Sequence, residues 1–167
     1  KCKTNIPYKA GYLAFREAPI LLKLLDITME ECPEIMPELI IFDGNGIWHP
    51  RSCGISTHFS VLAGIPAFGV AKSILVLPGV TRDSVYELIE KEANEPDSMV
   101  DVKDTNGEVI GAAYNTTGTV KSSIFLSAGN GISLDTVKTI TRRVTSHTVT
   151  EPVRKADLLS REILATM

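Results

Sequence analysis

A short apolar run ending in an acidic, glycine-rich turn constrains the fold of this chain most. Residues 38–42, Glu38-Leu39-Ile40-Ile41-Phe42, are too few for a helix and rich in β-branched side chains, which predicts a buried strand. Asp43-Gly44-Asn45-Gly46 then ends that strand abruptly. A carboxylate at the carboxyl end of such a strand lies where α/β sheets usually place ligands, although an Asx-turn that only ends the strand fits equally.

A second apolar run predicts a parallel neighbour for this strand. Residues 66–71 have the strand pattern, and residues 54–63 between the two runs have the pattern of a helix. A strand, a helix and a further strand make a βαβ unit, whose two strands pair in parallel. Lys72 ends the second strand, so we expect it beside Asp43, where it can pair with a phosphate or extend into solvent.

The rest of the chain completes a single α/β domain over residues 1–167. We expect an extended piece at 11–15 and a helix that begins at Ala18-Pro19, because proline suits a first turn. The polar segment 78–107 is weakly patterned and predicts only one helix. Further elements are expected as follows: a helix near 82–93, strands at 108–114 and 122–128, and helices from Ser133 to about 145 and from Pro152 to about 166.

Composition narrows the classes of function. A chain of 167 residues with 44% apolar content can bury a core, and its net charge of −3 argues against a general nucleic-acid coat. Three cysteines without a CxxC motif suit a reducing compartment. No apolar run approaches the roughly 18 residues that span a bilayer. We expect a monomer that binds no membrane and lies in the cytoplasm, or also in the nucleus. Because the chain opens on Lys1, we expect it to be a fragment of a longer protein.

Three carboxylates on separate elements are the candidates for metal chemistry. Glu17 lies next to the expected helix start, Asp43 follows the first strand, and Asp157 lies on the last helix. Each has an ordinary explanation: a helix-dipole contact, an Asx-turn and a solvated face, respectively. If they converge they can hold Mg²⁺, which prefers oxygen ligands and is commonly bound by one or two carboxylates together with a substrate phosphate.

Nucleophilic and zinc chemistry are less favoured. His49 follows Asp43 in the same loop, whereas His58 and His147 are scattered without the spacing of zinc ligands. Cys53 and His58 do not compose a triad with a third group. Serine or cysteine catalysis is therefore a weak alternative.

Four ordered motifs resemble the endonuclease V family. They are Pro7-Tyr8-x-x-Gly11-x-Leu13-x-Phe15-Arg16-Glu17; Asp43-Gly44-Asn45-Gly46-x-x-His49-Pro50-Arg51; Gly54-Ile55-Ser56-Thr57-His58 continuing to Ile65-Pro66-Ala67-Phe68-Gly69-Val70-Ala71-Lys72; and Glu151-Pro152-Val153-Arg154-Lys155-Ala156-Asp157. Matches in this order, from about residue 7 to 157, are specific.

The resemblance implies a ribonuclease H-like fold, with a central mixed sheet flanked by helices. It implies hydrolysis of the second phosphodiester bond 3′ to inosine with Mg²⁺ or Mn²⁺, on single-stranded RNA or DNA. By motif, Glu17 and Asp43 are metal ligands, Asp157 is a further acidic residue near the metal, and Lys72 contacts the scissile phosphate. The hypoxanthine base is expected in a pocket lined by Tyr8, Gly11, Leu13, Gly44, Gly46, Ile47, His49 and Ile55.

The chain departs from the family pattern at three places. Tyr8-Lys9-Ala10-Gly11 replaces the family's Tyr-Ile-Pro-Gly wedge, Gly129-Asn130 replaces a Gly-His pair, and the amino-terminal strand with the first catalytic aspartate has no counterpart. Val76-Leu77-Pro78-Gly79-Val80 resembles the eukaryotic branch, which favours RNA as the substrate. Two alternatives stay open: a module that binds inosine without cutting, and an unrelated phosphatase-like hydrolase.

Overall fold

A mixed five-stranded sheet flanked by helices forms the centre of the molecule, as a computed structural model describes it for residues 5–166. The strands are β1 (Ile40–Phe42), β2 (Ala67–Ala71), β3 (Ser98–Lys103), β4 (Val109–Asn115) and β5 (Ile124–Ala128). The helices are α1 (Leu13–Glu31), α2 (Ile55–Ala63), α3 (Arg82–Glu92), α4 (Leu134–Val144) and α5 (Glu151–Ala165), with short 3-10 turns at Pro33–Ile35 and Val120–Ser122. The expected fold class, an α/β sheet with flanking helices, is confirmed.

The strand order is β1-β2-β5-β4-β3, and only β1 and β2 pair in parallel among the described residues. Ile40 lies opposite Ala67 and Phe42 opposite Gly69, with α2 as the crossover between the strands. The predicted βαβ unit is therefore confirmed. Both parallel strands end at the same edge of the sheet, which brings the residues that follow them together.

The core lies on both faces of the two central strands, β2 and β5, in which every residue is buried. Since side chains alternate along a strand, Leu126 packs on the α4 side and Phe125 on the α3 side. Val137 of α4 and Ile89 of α3 close the two layers. Each fully buried aliphatic or aromatic side chain contributes about 1.5–3 kcal/mol relative to exposure, so these two layers hold the sheet rigid.

Helix α1 begins earlier than the sequence pattern indicated. The extended piece expected at 11–15 is wrong, because the helix already starts at Leu13, and Pro19 lies inside it rather than at its first turn. Ala14 and Ala18, one helical turn apart, are buried against Ile55 and Phe59 of α2. Tertiary packing of this small-residue stripe therefore outweighs the hydrogen bond that a proline cannot donate.

Strand β3 was missed within the polar segment 78–107. It pairs antiparallel with β4 at the far edge of the sheet, where Val100 and Val102 face the core and Asp101 between them is half-exposed. An edge strand carries polar residues on its outer side, so its alternation was short and weak. The other predicted helices and strands are confirmed to within two residues at each end.

Strand β1 is half-buried rather than buried, which corrects the expectation for residues 38–42. It is an edge strand, paired only with β2 among the described residues, and an apolar groove of about 920 Å³ runs beside it. Leu21 and Leu25 of α1 and Val153 of α5 form the groove walls.

Of the helices within residues 5–166, none is long and apolar enough to cross a membrane.

Candidate active site and base pocket

The loop after β1 is fixed to the neighbouring strands by its backbone. The Ile47 N–H donates to the Ala128 carbonyl at 2.8 Å, and the N–H groups of Gly46 and Trp48 both donate to Ser127 Oγ, at 3.0 and 2.8 Å. The Trp48 ring is fully buried, with its indole N–H donating to the Leu75 carbonyl at 2.9 Å. The residues on either side of Trp48 are therefore held in defined positions.

Two glycines permit this close backbone packing. A Cβ on Gly46 would lie 2.0 Å from the Ala128 carbonyl oxygen, and one on Gly69 would lie 2.2 Å from the Gly44 carbonyl oxygen. Real Cβ atoms do not approach so closely, so each position requires glycine. Gly46 therefore packs against protein backbone. Neither Gly46 nor Ile47 lines the second cavity described below, which holds the other six residues expected around the base.

The three candidate carboxylates line one cavity. Glu17 of α1, Asp43 after β1 and Asp157 of α5 all border the groove beside β1. They come from three separate elements that border the same groove. Within residues 5–166, however, no three His, Cys, Asp or Glu side chains lie close enough together to form a metal cluster.

Two of these carboxylates are paired with cations. Lys72 Nζ lies 3.3 Å from Asp43 Oδ2, as the parallel pairing of β1 and β2 predicted, and both side chains are about half-exposed. Asp157 accepts from Arg161 on the next turn of α5, at 3.1 Å from Nε and 2.9 Å from Nη2. Exposed pairs of this kind contribute about 0–1 kcal/mol, so a phosphate or a cation can replace either partner at little cost.

A second cavity, of about 470 Å³, holds six of the eight residues expected around the base. These are Tyr8, Gly11, Leu13, Gly44, His49 and Ile55. Its volume is in the range of small-molecule sites. The cavity is also lined by Phe15, Arg51, Cys53 and His58. Nothing in their spacing along the sequence distinguishes a lining residue from a surface one, so these four were not predicted.

His49 is almost fully buried at the wall of this second cavity, 9% exposed. Burial lowers the pKa of His49 from its usual value of 6.5, the positive charge of Arg51 lowers it further, and a hydrogen bond to the Gly11 backbone opposes both. The Arg51 backbone N–H donates to His49 Nδ1 at 3.3 Å, so the proton of the neutral ring belongs on Nε2. His49 is therefore a neutral ring whose Nδ1 already accepts a backbone hydrogen bond.

The two cavities meet at one residue boundary. Asp43 lines the groove beside β1, here called the carboxylate groove, and Gly44 lines the second cavity.

The family model for endonuclease V matches residues 1–158 of the chain. The chain belongs to the endonuclease V family. Its mixed sheet with flanking helices is the ribonuclease H-like fold of that family.

The chain is similar in sequence to endonuclease V proteins from two vertebrates, but it covers only part of their length. It is 36% identical to human endonuclease V over 157 residues, which covers 93% of this chain and 55% of the human protein. It is 32% identical to mouse endonuclease V over 158 residues, covering 95% of this chain and 47% of the mouse protein. The chain thus spans about half the length of these relatives.

A solved endonuclease V structure superimposes closely on the chain. Ciona intestinalis endonuclease V, in complex with a 23-mer DNA containing an inosine followed by a ribo-adenosine, has a TM-score of 0.92 and 32% sequence identity. The match covers 99% of this chain and 70% of the Ciona chain. The fold described above is therefore shared with a protein whose complex holds inosine.

Proposed function

We propose that this protein is an endonuclease that hydrolyses the second phosphodiester bond 3′ to inosine, in single-stranded RNA in preference to DNA. One observation carries the proposal: consecutive residues, Asp43 and Gly44, border the carboxylate groove and the second cavity, here called the base cavity. A nucleotide whose base enters the base cavity can therefore place its backbone beside the carboxylates of the groove. Family membership and the inosine complex of the Ciona protein support the same activity.

Mg²⁺, or Mn²⁺ in its place, fits the donor set of the groove. Glu17 and Asp43 are the proposed ligands, with Asp157 nearby, and all three supply the oxygen donors that such ions prefer. Two carboxylates without a third protein ligand suffice when water and a substrate phosphate complete the coordination. When bound, the ion would activate water and neutralise charge on the leaving oxygen.

Lys72 is proposed to act on the scissile phosphate. In the free protein its ammonium pairs with Asp43, and the pair is exposed enough for a phosphate oxygen to take the place of the carboxylate. Lys72→Ala should then lower kcat far more than it weakens substrate binding, because a contact formed in the transition state appears in kcat. Weaker binding at an unchanged kcat would make Lys72 an ordinary phosphate anchor instead.

The second cavity is proposed to hold the hypoxanthine base, lifted out of the stack, with backbone groups reading its edge. Adenine would be rejected because its 6-amino group places a donor where the pocket also has one. Leu13 forms part of the wall, so Leu13→Ala should widen the cavity and reduce the preference for inosine over adenosine. Equal cleavage of both substrates by the parent protein would remove this assignment.

Single-stranded RNA is proposed as the preferred substrate. The segment 76–80 resembles the eukaryotic branch, and a ribonucleotide follows the inosine in the Ciona complex. A protein distinguishes RNA from DNA at such a position through the 2′-hydroxyl. The test is a divalent-metal titration with labelled inosine and adenosine oligonucleotides, RNA and DNA side by side.

A second candidate is an inosine-binding module that does not cut. It applies if two carboxylates do not hold the ion firmly enough, because no cluster of three metal-ligating side chains occurs within residues 5–166. The same titration separates the candidates. Metal-dependent cleavage beside inosine supports the nuclease, selective binding without cleavage supports the module, and indifference to inosine contradicts both.

A further inference from the structure

A turn formed by residues 8–12 lies at the mouth of the base cavity. The Tyr12 N–H donates to the Lys9 carbonyl at 2.9 Å. Gly11 has a φ of +75°, a backbone conformation that residues with a side chain rarely adopt. Tyr8 and Gly11 line the cavity, whereas Lys9 and the Tyr12 ring face solvent. This turn, here called the mouth segment, therefore forms one wall of the cavity.

Arg51, in the loop after β1, makes two contacts to the mouth segment. Its Nη2 group donates to the Gly11 carbonyl, and its guanidinium carbon lies 3.9 Å from the centre of the Tyr12 ring. Lys9 Nζ lies 4.9 Å from the same ring. The planar guanidinium can stack and donate at once, which the ammonium of a lysine cannot do.

The Gly11 backbone also interacts with His49, the buried ring two residues before Arg51. His49 is fixed from below, because the Arg51 backbone N–H donates to its Nδ1. The Ile47 backbone holds this part of the loop to β5. The mouth segment is thus fastened to the rigid loop by Arg51, which contacts the Gly11 carbonyl and the Tyr12 ring, and by the interaction of His49 with the Gly11 backbone.

We propose that Arg51 is a positioning residue that holds the mouth segment closed over the base cavity and thereby sets how strictly the cavity discriminates between bases. The inference rests on the proposed function for its readout of selectivity. Arg51 and Gly11 are exposed, so the contact between them can break and re-form in water. A nucleotide can therefore enter when the segment lifts, and the cavity regains its shape when Arg51 closes it.

The test compares Arg51→Ala and Arg51→Lys with Arg143→Ala. The last is a matched control that removes one exposed arginine, on α4, that does not line the base cavity. Backbone amide exchange of residues 8–13 reports closure directly. Binding of single-stranded inosine and adenosine oligonucleotides, measured by fluorescence anisotropy without metal, reports selectivity.

Arg51→Ala should speed exchange in residues 8–13 and lower the inosine-to-adenosine binding ratio by up to about tenfold. Under the proposal only the closed cavity discriminates, and the two lost contacts each favour closure by a factor of about three. Arg143→Ala should change neither quantity. Arg51→Lys keeps the charge but loses the stacking plane, so the exchange rate should stay close to that of Arg51→Ala. Unchanged exchange in Arg51→Ala, or full recovery of both readouts in Arg51→Lys, would overturn the proposal.

The two proposals fail in distinguishable ways. If the parent protein binds inosine and adenosine equally, the proposed function and the selectivity role of Arg51 both fall. Amide exchange then still decides whether Arg51 closes the mouth segment. If the parent prefers inosine and Arg51→Ala speeds exchange while leaving that preference intact, only the selectivity role of Arg51 is refuted.

Discussion

Replacing Gly46 by alanine should destabilise the fold rather than act on the base cavity. The added Cβ would lie 2.0 Å from the Ala128 carbonyl oxygen and 2.6 Å from its carbon, so the loop and β5 must separate by more than an ångström. That movement disrupts two hydrogen bonds, Ile47 N–H to the Ala128 carbonyl and Gly46 N–H to Ser127 Oγ. Each lost bond costs about 0.5–1.5 kcal/mol, and overpacking adds about 1–3 kcal/mol.

These terms sum to about 2–6 kcal/mol, and the expected loss for Gly46→Ala is about 4 kcal/mol, which lowers Tm by about 8–16 °C in a domain of this size. Urea unfolding followed by far-UV circular dichroism measures it. Gly64→Ala is the control, because its Cβ would meet nothing within 4 Å and only its φ of +69° is strained. That strain costs about 1–2 kcal/mol.

Gly44→Ala provides the contrast. Its Cβ would meet only the Ile55 Cγ2 methyl group at 2.7 Å, at the wall of the base cavity. We therefore expect a smaller loss of stability than in Gly46→Ala, together with weaker binding of an inosine oligonucleotide. If the free energy of unfolding of Gly46→Ala lies within about 1 kcal/mol of that of the Gly64→Ala control, the tight contact between the loop and β5 is refuted.

Two further predictions concern titratable groups. The Tyr114 hydroxyl donates to Asp97 Oδ1 at 2.8 Å, and burial together with that carboxylate raises the pKa of Tyr114 to about 12. Tyr114→Phe should cost about 0.5–1.5 kcal/mol of unfolding free energy by calorimetry, and the loss should vanish in an Asp97→Ala background, which removes the acceptor. Because the pKa of His49 is lowered on folding, its neutral ring contributes stability above pH 6.5, and this is lost as pH falls through the lower folded pKa. Urea midpoints between about pH 7 and about pH 5 should fall more steeply in the parent than in His49→Gln.

The sequence predicted those features that depend on local pattern. Strands β1 and β2 were recognisable as short apolar runs separated by a helix, and the adjacency of Asp43 and Lys72 followed from their parallel pairing. The start of α1 was not recognisable, because the proline signal at 19 conflicts with a packing stripe that only the fold reveals.

The sequence likewise could not predict which neighbours the loop glycines Gly44 and Gly46 pack against. Gly44 borders the base cavity and Gly46 packs on β5, yet both appear as glycine in the same short turn. A glycine allows close approach of any group, whether ligand or protein backbone. The half-burial of β1 depends in the same way on what lies beside it in space, which no local pattern encodes.

The position of Trp48 gives the protein an optical property. It is the chain's single tryptophan, fully buried one residue before His49, with its ring edge-on to Phe125 at 5.9 Å. Indole emission at shorter wavelength is expected from this apolar setting, and all of it originates beside the candidate site. Tryptophan fluorescence therefore reports the state of the loop that joins the two cavities, without a label and without contributions from elsewhere in the chain.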